Sequence, residues 1–383
     1  MNQRSYLDYN ATAPLRPEVR EAVIGALALH GNPSSVHAEG RAARAAIEDA
    51  RAKVAALVGA RPENVIFTSG GTEANALALA APAGEASWHC YLSAIEHPSV
   101  LSGGRFYRET TTIIPVTPDG IADLASLAKK LEKHKPGGWR PIVSLMAANN
   151  ETGAIQPVAE AAKIVHDAGG ILHCDAVQAA GRVPLDMAEL GADMVSLSAH
   201  KMGGPKGVGA LVLAEGVTVE PLIKGGGQEG RRRAGTENVA GIAGFGVAAE
   251  LAASGIANMQ EIAGLRDALE EGVRAISKNA AVFSAGVPRL PNTSCIAVPG
   301  AKAETLVIGL DLAGISVSAG AACSSGKVET SHVLTAMGVS PELAHSAIRV
   351  SLGIGSSNTD IQSFLGAFGE LIKRLKQSAK KAA

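Results

Sequence analysis

Through its first two thirds the chain alternates short apolar runs with amphipathic stretches of helical period, and that alternation leaves few architectures open. The runs at 65–68, 88–94, 112–116, 142–147, 171–175, 194–198 and 209–213 read as strands. Between them, residues 39–58 place Ala43, Ile47, Ala50, Val54 and Leu57 on one face, the 3.6-residue period of a helix. Further helices are expected over 72–80, 99–108, 121–133 and 158–168. Strands alternating with helices imply an α/β fold, a mostly parallel or mixed sheet covered on both sides. Ligands of such a sheet sit beyond the carboxyl ends of its strands.

Past Gly255 the pattern changes. A helix over 259–276, with Met259, Ile262, Leu265, Leu269, Val273 and Ile276 on one stripe, leads into a smaller α/β unit. Its strands are expected at 281–284, 293–298 and 348–352, with a last helix at 359–375. The basic tail KRLKQSAKKAA reads as a frayed, solvated end. At 383 residues the chain has room for two domains, and the division expected is 13–257 against 1–12 plus 258–383.

Composition removes several function classes. Thirty-five Lys and Arg against thirty-six Asp and Glu leave a formal charge of −1, so no nucleic-acid footprint is expected. The N-terminus has no apolar core of a secretory signal, and no run approaches the ~18 apolar residues that cross a bilayer. The most apolar stretch, 239–249, is broken by Glu250. Cys90, Cys174, Cys295 and Cys323 are far apart and form no CxxC pair, which suits neither a disulfide framework nor a metal site. A cytoplasmic, reducing setting is expected.

Three segments carry chemistry. In SAHKMGGPKG, Lys201 follows a strand end and precedes a glycine-rich loop. A buried lysine loses hydration of its charged form, which leaves a neutral amine able to form a Schiff base; the plain alternative is a loop lysine at the surface. In ILHCDAVQAAG a strand runs directly into Asp175. A buried carboxylate there needs a cationic partner, such as a pyridinium nitrogen, unless it only caps the following segment. A Schiff-base lysine with an aspartate on a pyridine nitrogen is the protein side of a pyridoxal phosphate site. In TSGGTEAN the strand ends at Ser69-Gly70-Gly71-Thr72 and a helix begins at once, a place where free backbone N–H groups attract phosphate. No Rossmann G-x-G-x-x-G is present here, and the segment from Gly320 to Val328 has the wrong spacing for a P-loop and valine where Ser or Thr would hold magnesium.

With these and the segments YLDYNATAP, GNPSSVH, EHPSV, NNETG, GGGQEGRRRAGTEN, SAGAACSSG and IRVSLG, in this order nearly end to end, the chain resembles the class V aminotransferase-like enzymes, in particular cysteine desulfurases of the NifS/IscS type. The resemblance implies the pyridoxal-phosphate-dependent transferase fold of the aspartate aminotransferase kind, with a large cofactor-binding mixed-sheet domain and a smaller C-terminal domain carrying a catalytic cysteine loop. It also implies roles. Lys201 would hold pyridoxal 5'-phosphate and move protons at the substrate Cα. Asp175 would keep the ring nitrogen protonated. His97 would stack on the ring and act as acid and base, beyond the plain reading in which it caps a helix. Asn150 and Gln178 would contact the ring's phenolic oxygen, and Gly71, Thr72, Ser198 and His200 would hold the phosphate. Thr236 would reach the phosphate of a partner subunit, making the protein a homodimer. Arg349 and Asn32 would bind the substrate carboxylate. No metal is implied. In one departure, Asn75 is followed by Ala76 where many relatives carry a second amide or acid.

Cys323 decides between reactions. Its neighbours are small, whereas Cys90, Cys174 and Cys295 sit among apolar strand residues and read as inert. By the resemblance, the Cys323 thiolate would take sulfur from L-cysteine as a persulfide, release alanine and pass the sulfur to an acceptor protein such as an iron–sulfur scaffold. Selenocysteine lysis, sulfinate cleavage, transamination and a scaffold without turnover stay open as alternatives.

Overall fold

A computed structural model describes residues 4–80, 87–102, 104–134, 138–319 and 330–382. Its centre is a seven-stranded sheet in the order Val65–Thr68, Gly209–Leu213, Met194–Ser198, Ile171–Asp175, Arg140–Ser144, Trp88–Ser93 and Thr111–Ile114. Gly209–Leu213 runs antiparallel to both neighbours, and every other pairing is parallel. The α/β, mixed-sheet architecture read from the alternation is the one found. Four of the seven strands have the expected bounds, and the others differ by one to three residues at an end.

Why the helices lie where they do follows from their stripes. Ala38–Leu57 buries Ala43, Ile47, Ala50, Val54 and Leu57 against the sheet side, as its period requires. Val239–Ser254 was not resolved as a helix by periodicity, because it is apolar nearly all round; it packs as a core helix on Ala38–Leu57 and Pro17–Leu27, burying Ile242, Phe245, Ala248 and Ala249. It continues through a short turn into Met259–Ile276. That combined run, of mean hydropathy 1.6 in its most apolar window, is long and apolar enough to cross a membrane, contrary to the expectation from counting apolar runs. Its apolar residues are instead part of the two cores of this fold.

The second core lies around an antiparallel sheet of Ser318–Ala319, Ala347–Ser351, Thr293–Ala297 and Ala281–Val282. It gathers Leu7, Ile262, Leu269, Val273, Ile348, Phe364 and Phe368 from both chain ends. The N-terminal strand Ser5–Tyr6 joins it by pairing in parallel with Ile315–Ser316. The last helix runs Asn358–Ala382, so the basic tail is helical and not frayed.

Two other expectations fail for local reasons. The helix placed at 99–108 is only Pro98–Leu101. Gly104 adopts φ +79°, and a Cβ there would lie 2.6 Å from Leu79 Cβ, so the chain turns back against the preceding helix instead of continuing. The strand expected to reach residue 284 stops at Val282, two residues before Ser284 takes a left-handed φ of 56°.

A buried ion pair ties the first core together. Arg51 Nη1 and Nη2 donate to the two carboxylate oxygens of Glu229 at 2.7 and 2.9 Å, and Phe67 N also donates to Glu229. Without Glu229, Arg51 keeps only its half-exposed partner Glu48, whose Oε2 accepts from Arg51 Nε at 3.0 Å, so the loss should lie toward the lower end of the about 3–5 kcal/mol typical of a broken buried pair. Glu229→Gln is therefore expected to lower the unfolding free energy by about that amount in a denaturant titration. A loss below about 1 kcal/mol, the range of an exposed pair, would mean the bridge is not holding this core together.

Candidate active site

Parallel strands deliver their carboxyl ends to one rim of the sheet, and the chemistry-bearing residues collect there. Asp175 ends one strand, Ser198 ends the next, and His97 and Asn150 follow the ends of two others. Together with Gly71, Thr72, Gln178, His200, Lys201 and Arg349 they line one cavity of about 330 Å³. That volume falls in the range of small-molecule sites.

At one end, the helix Gly71–Ala78 points its N-terminus into the cavity beside Thr72, Ser198 and His200. A Cβ on Gly71 would come within 3.0 Å of Val177 Cγ2 and 3.4 Å of Ser198 Cβ, so the helix start packs closely on both side chains only without one. Burial, with Lys201, Lys206 and Arg182 nearby, pushes His200 down to about 4, so its ring is neutral at neutral pH and offers an N–H without charge. His200 Nδ1 lies 3.1 Å from Thr12 Oγ1.

Asp175 forms the middle of the floor. Its Oδ1 accepts from Val177 N at 3.0 Å and its Oδ2 from Asn75 Nδ2 at 2.8 Å. The turn-capping reading of this carboxylate therefore holds, and the same side chain lines the cavity. Asn75 also donates to Ser99 Oγ at 2.9 Å, so the amide preceding Ala76 reaches the carboxylate directly.

His97 likewise does two things. Its Nδ1 accepts from Ser99 N at 3.1 Å and caps Pro98–Leu101. The neutral ring thus carries its proton on Nε2, the nitrogen left for the cavity that His97 lines. Burial lowers its proton affinity; Asp175 opposes that, while Lys201 and His332 reinforce it.

Lys201 sits in the single turn Ala199–Lys201, and its Nζ donates to the backbone oxygens of Asn10 at 2.6 Å and Ala11 at 2.9 Å. Burial first, then Arg349 and Arg182, bring it down to about 8, against the pull of Asp175 and Asp8. The amine is therefore available as a nucleophile and base close to neutrality.

Arg349 comes from the strand Ala347–Ser351. Its Nη2 donates to Asp8 Oδ1 at 2.8 Å and its Nη1 to Asn150 O at 3.0 Å. Its Nε is buried without a partner among the described residues, which leaves a donor for an incoming carboxylate.

Two predicted residues lie elsewhere. Asn32 is exposed, accepts through Oδ1 from Ser34 N at 2.9 Å, and does not line the cavity. Within its own chain it therefore does not stand beside Arg349; its Oδ1 caps a local turn. Asn10, quoted in the segment YLDYNATAP but given no role there, lines this rim together with Asn75 and Asn150. Thr236 is exposed in a separate hollow with Ser69, Arg233 and Asn238, away from the cavity of its own chain. Cys323 lies outside the described residues. Cys90, Cys174 and Cys295 are buried, and burial pushes each thiol well up, so all three are inert as read. No cluster of metal-ligating side chains occurs among the described residues.

The cavity therefore has a helix N-terminus with hydroxyls beside it, a carboxylate, an imidazole and a depressed lysine in one lining, a set that fits pyridoxal phosphate. The Aminotransferase class-V family profile matches residues 5–364. The chain is 42% identical to the cysteine desulfurase IscS of Dictyoglomus turgidum, over 98% of this chain and 96% of that one. It is 44% identical to a cysteine desulfurase of Cereibacter sphaeroides, over 98% and 97%. Among solved structures, a NifS-like protein from Rickettsia africae superposes with a TM-score of 0.88 at 37% identity, covering 97% of this chain and all of that one. Sequence, fold and cavity thus agree that the chain belongs to the aminotransferase class-V family.

Proposed function

We propose that this protein is a pyridoxal-phosphate-dependent cysteine desulfurase that converts L-cysteine to L-alanine and passes the sulfur on. The observation that carries the reading is the convergence of Lys201, Asp175 and His97 on one cavity whose far wall holds Arg349. Bound there, the cofactor supplies an electron sink for charge developing at the substrate Cα.

The residues of the chain then divide the work. Gly71, Thr72, Ser198 and His200 hold the phosphate, and Asn150 and Gln178 face the phenolic side. Asp175 holds a proton at the ring nitrogen. Arg349 binds the substrate carboxylate through its unpaired Nε–H and orients the amino acid. Lys201 Nζ removes the Cα proton, and His97 Nε2 exchanges protons with the substrate. The Cys323 thiolate attacks the substrate sulfur; an S–S bond forms as the S–Cβ bond breaks. In sum, enzyme thiol and L-cysteine become enzyme persulfide and L-alanine, with every hydrogen retained.

The assembly and destination belong to the same proposal. Exposed Leu15, Ile24 and Leu27 on or beside the helix Pro17–Leu27, and a Thr236 outside its own cavity, support a homodimer in which Thr236 completes the partner's phosphate site. A persulfide needs a thiol acceptor, which we take to be a sulfur-acceptor protein such as an iron–sulfur scaffold. Three buried free thiols fit work in a reducing cytoplasm.

Purified protein given L-cysteine should release alanine and sulfide in equal amounts when a reductant is present. Cys323→Ala should still bind the cofactor and cysteine yet release no sulfide above background. Sulfide release at the wild-type rate from that variant would remove the persulfide step and favour lyase chemistry.

A further inference from the structure

Behind the Lys201 backbone lies a charge that the desulfurase reading does not use. Arg182 is 7% exposed, and all its hydrogen bonds go to neutral oxygens. Its Nη1 donates to the backbone oxygen and to Oε1 of Gln178, and its Nη2 approaches Tyr9 O and Lys201 O at 3.4 Å each. Among the described residues, no carboxylate lies within ion-pair distance of it. The other buried arginines Arg51, Arg289 and Arg349 each have one.

A lone buried guanidinium is an expensive way to fill space. Burying an ion without a counter-ion costs several kcal/mol, and an apolar side chain of the same bulk is often as stable or more so. The position of Arg182 offers a reason. It lines a second cavity with Tyr9, Arg16 and Met259, and Lys201 lines both that cavity and the site above. One end of its fork fixes the Gln178 amide, whose Nε2 is thereby turned to donate to Asn10 O at 3.0 Å, the same oxygen that receives Lys201 Nζ.

We propose that Arg182 is a positioning residue: a deliberately uncompensated positive charge that sets the Gln178 amide in one orientation and acts on the nitrogen of Lys201 from behind. The inference rests on the reading that Lys201 carries the cofactor. Charges around that nitrogen compete. Asp175 and Asp8 favour a cation, Arg349 and Arg182 oppose one, and His97 and His200 are its neutral neighbours. Arg349 is paired with Asp8, so Arg182 is the opposing charge that no carboxylate among the described residues offsets. Its presence keeps the proton on the Lys201 nitrogen loosely held and ready to leave.

The test is a spectrophotometric pH titration of the purified holoenzyme without substrate, following the absorption band of the lysine-bound cofactor. Arg182→Met keeps bulk and removes charge. It should raise the midpoint of the band's pH transition by about 1 pH unit, the usual effect of a neighbouring charge. Arg182→Lys retains the charge and should titrate near the wild-type midpoint. A protein in which Arg182 only packs would show the same midpoint in all three, and that result overturns the inference. If Arg182→Met does not fold, Arg182→Gln, which also removes the charge, takes its place: a midpoint raised by about 1 unit supports the proposal and an unchanged midpoint overturns it. A wild-type protein with no pH-dependent band at all would remove the reading of Lys201 itself, and the inference with it.

Discussion

Lys201→Ala should slow the turnover of L-cysteine by at least about 10²–10⁴-fold, the contribution of a positioned general base, while the fold and the anion cradle persist. The side chain is needed twice, to hold the cofactor and to take the Cα proton, and no other amine lines the cavity among the described residues. The wild-type pH profile should carry the same signature. Lys201 is brought down to about 8, so below that pH its amine is increasingly protonated and cannot accept the Cα proton. kcat, which reports the substrate-bound enzyme in which the Lys201 amine is free, should therefore fall as pH drops below about 8, and the residual rate of Lys201→Ala should lack that limb. A variant keeping a tenth or more of wild-type turnover, or the same acidic limb, would show that the base is another group.

Asp175→Asn should be nearly as damaging. A unit charge about 4 Å from a carboxylate gains about 4 kcal/mol at an effective dielectric of about 20. Losing that stabilisation of a protonated ring nitrogen corresponds to roughly a 10³-fold slower chemical step. The amide keeps the size of the carboxylate and its oxygen can still accept from Val177 N, while its NH2 gives up the bond from Asn75 Nδ2, so the variant should fold with a modest loss of stability. The measurement is kcat on the reconstituted variant beside its thermal unfolding. A fall of less than about tenfold with intact folding would mean that the electron sink does not depend on this carboxylate.

Much of this site could be read from the chain because its residues sit at strand ends, where an apolar run stops at a polar one. Asp175 after Ile171, Leu172 and Cys174, and Ser198 after Met194 and Leu197, mark both the strand and its functional rim. What escaped has a physical reason in each case. Val239–Ser254 has no polar face, so its composition hides the helical period that burial on both sides makes unnecessary. Helix 99–108 looked continuous until Gly104 met Leu79, a contact between segments that local pattern does not contain. Arg182 looks like any loop arginine after a glycine, and its burial depends on Tyr9 and Lys201 arriving from distant parts of the chain. Asn10 and Asp8 acquire their roles only when the N-terminal segment lies across the rim, one beneath Lys201 Nζ and the other against Arg349. Asn32 shows the converse: a motif residue in sequence, yet turned to a local cap within its own chain.

The proposed chemistry requires the cofactor to sit on Lys201, and a peptide map shows directly which side chain carries it. Holoenzyme reduced with borohydride and digested should show the pyridoxal-phosphate mass on the peptide containing Lys201 and on no other. The same mass on a different lysine, or none after reconstitution with pyridoxal phosphate, would contradict it.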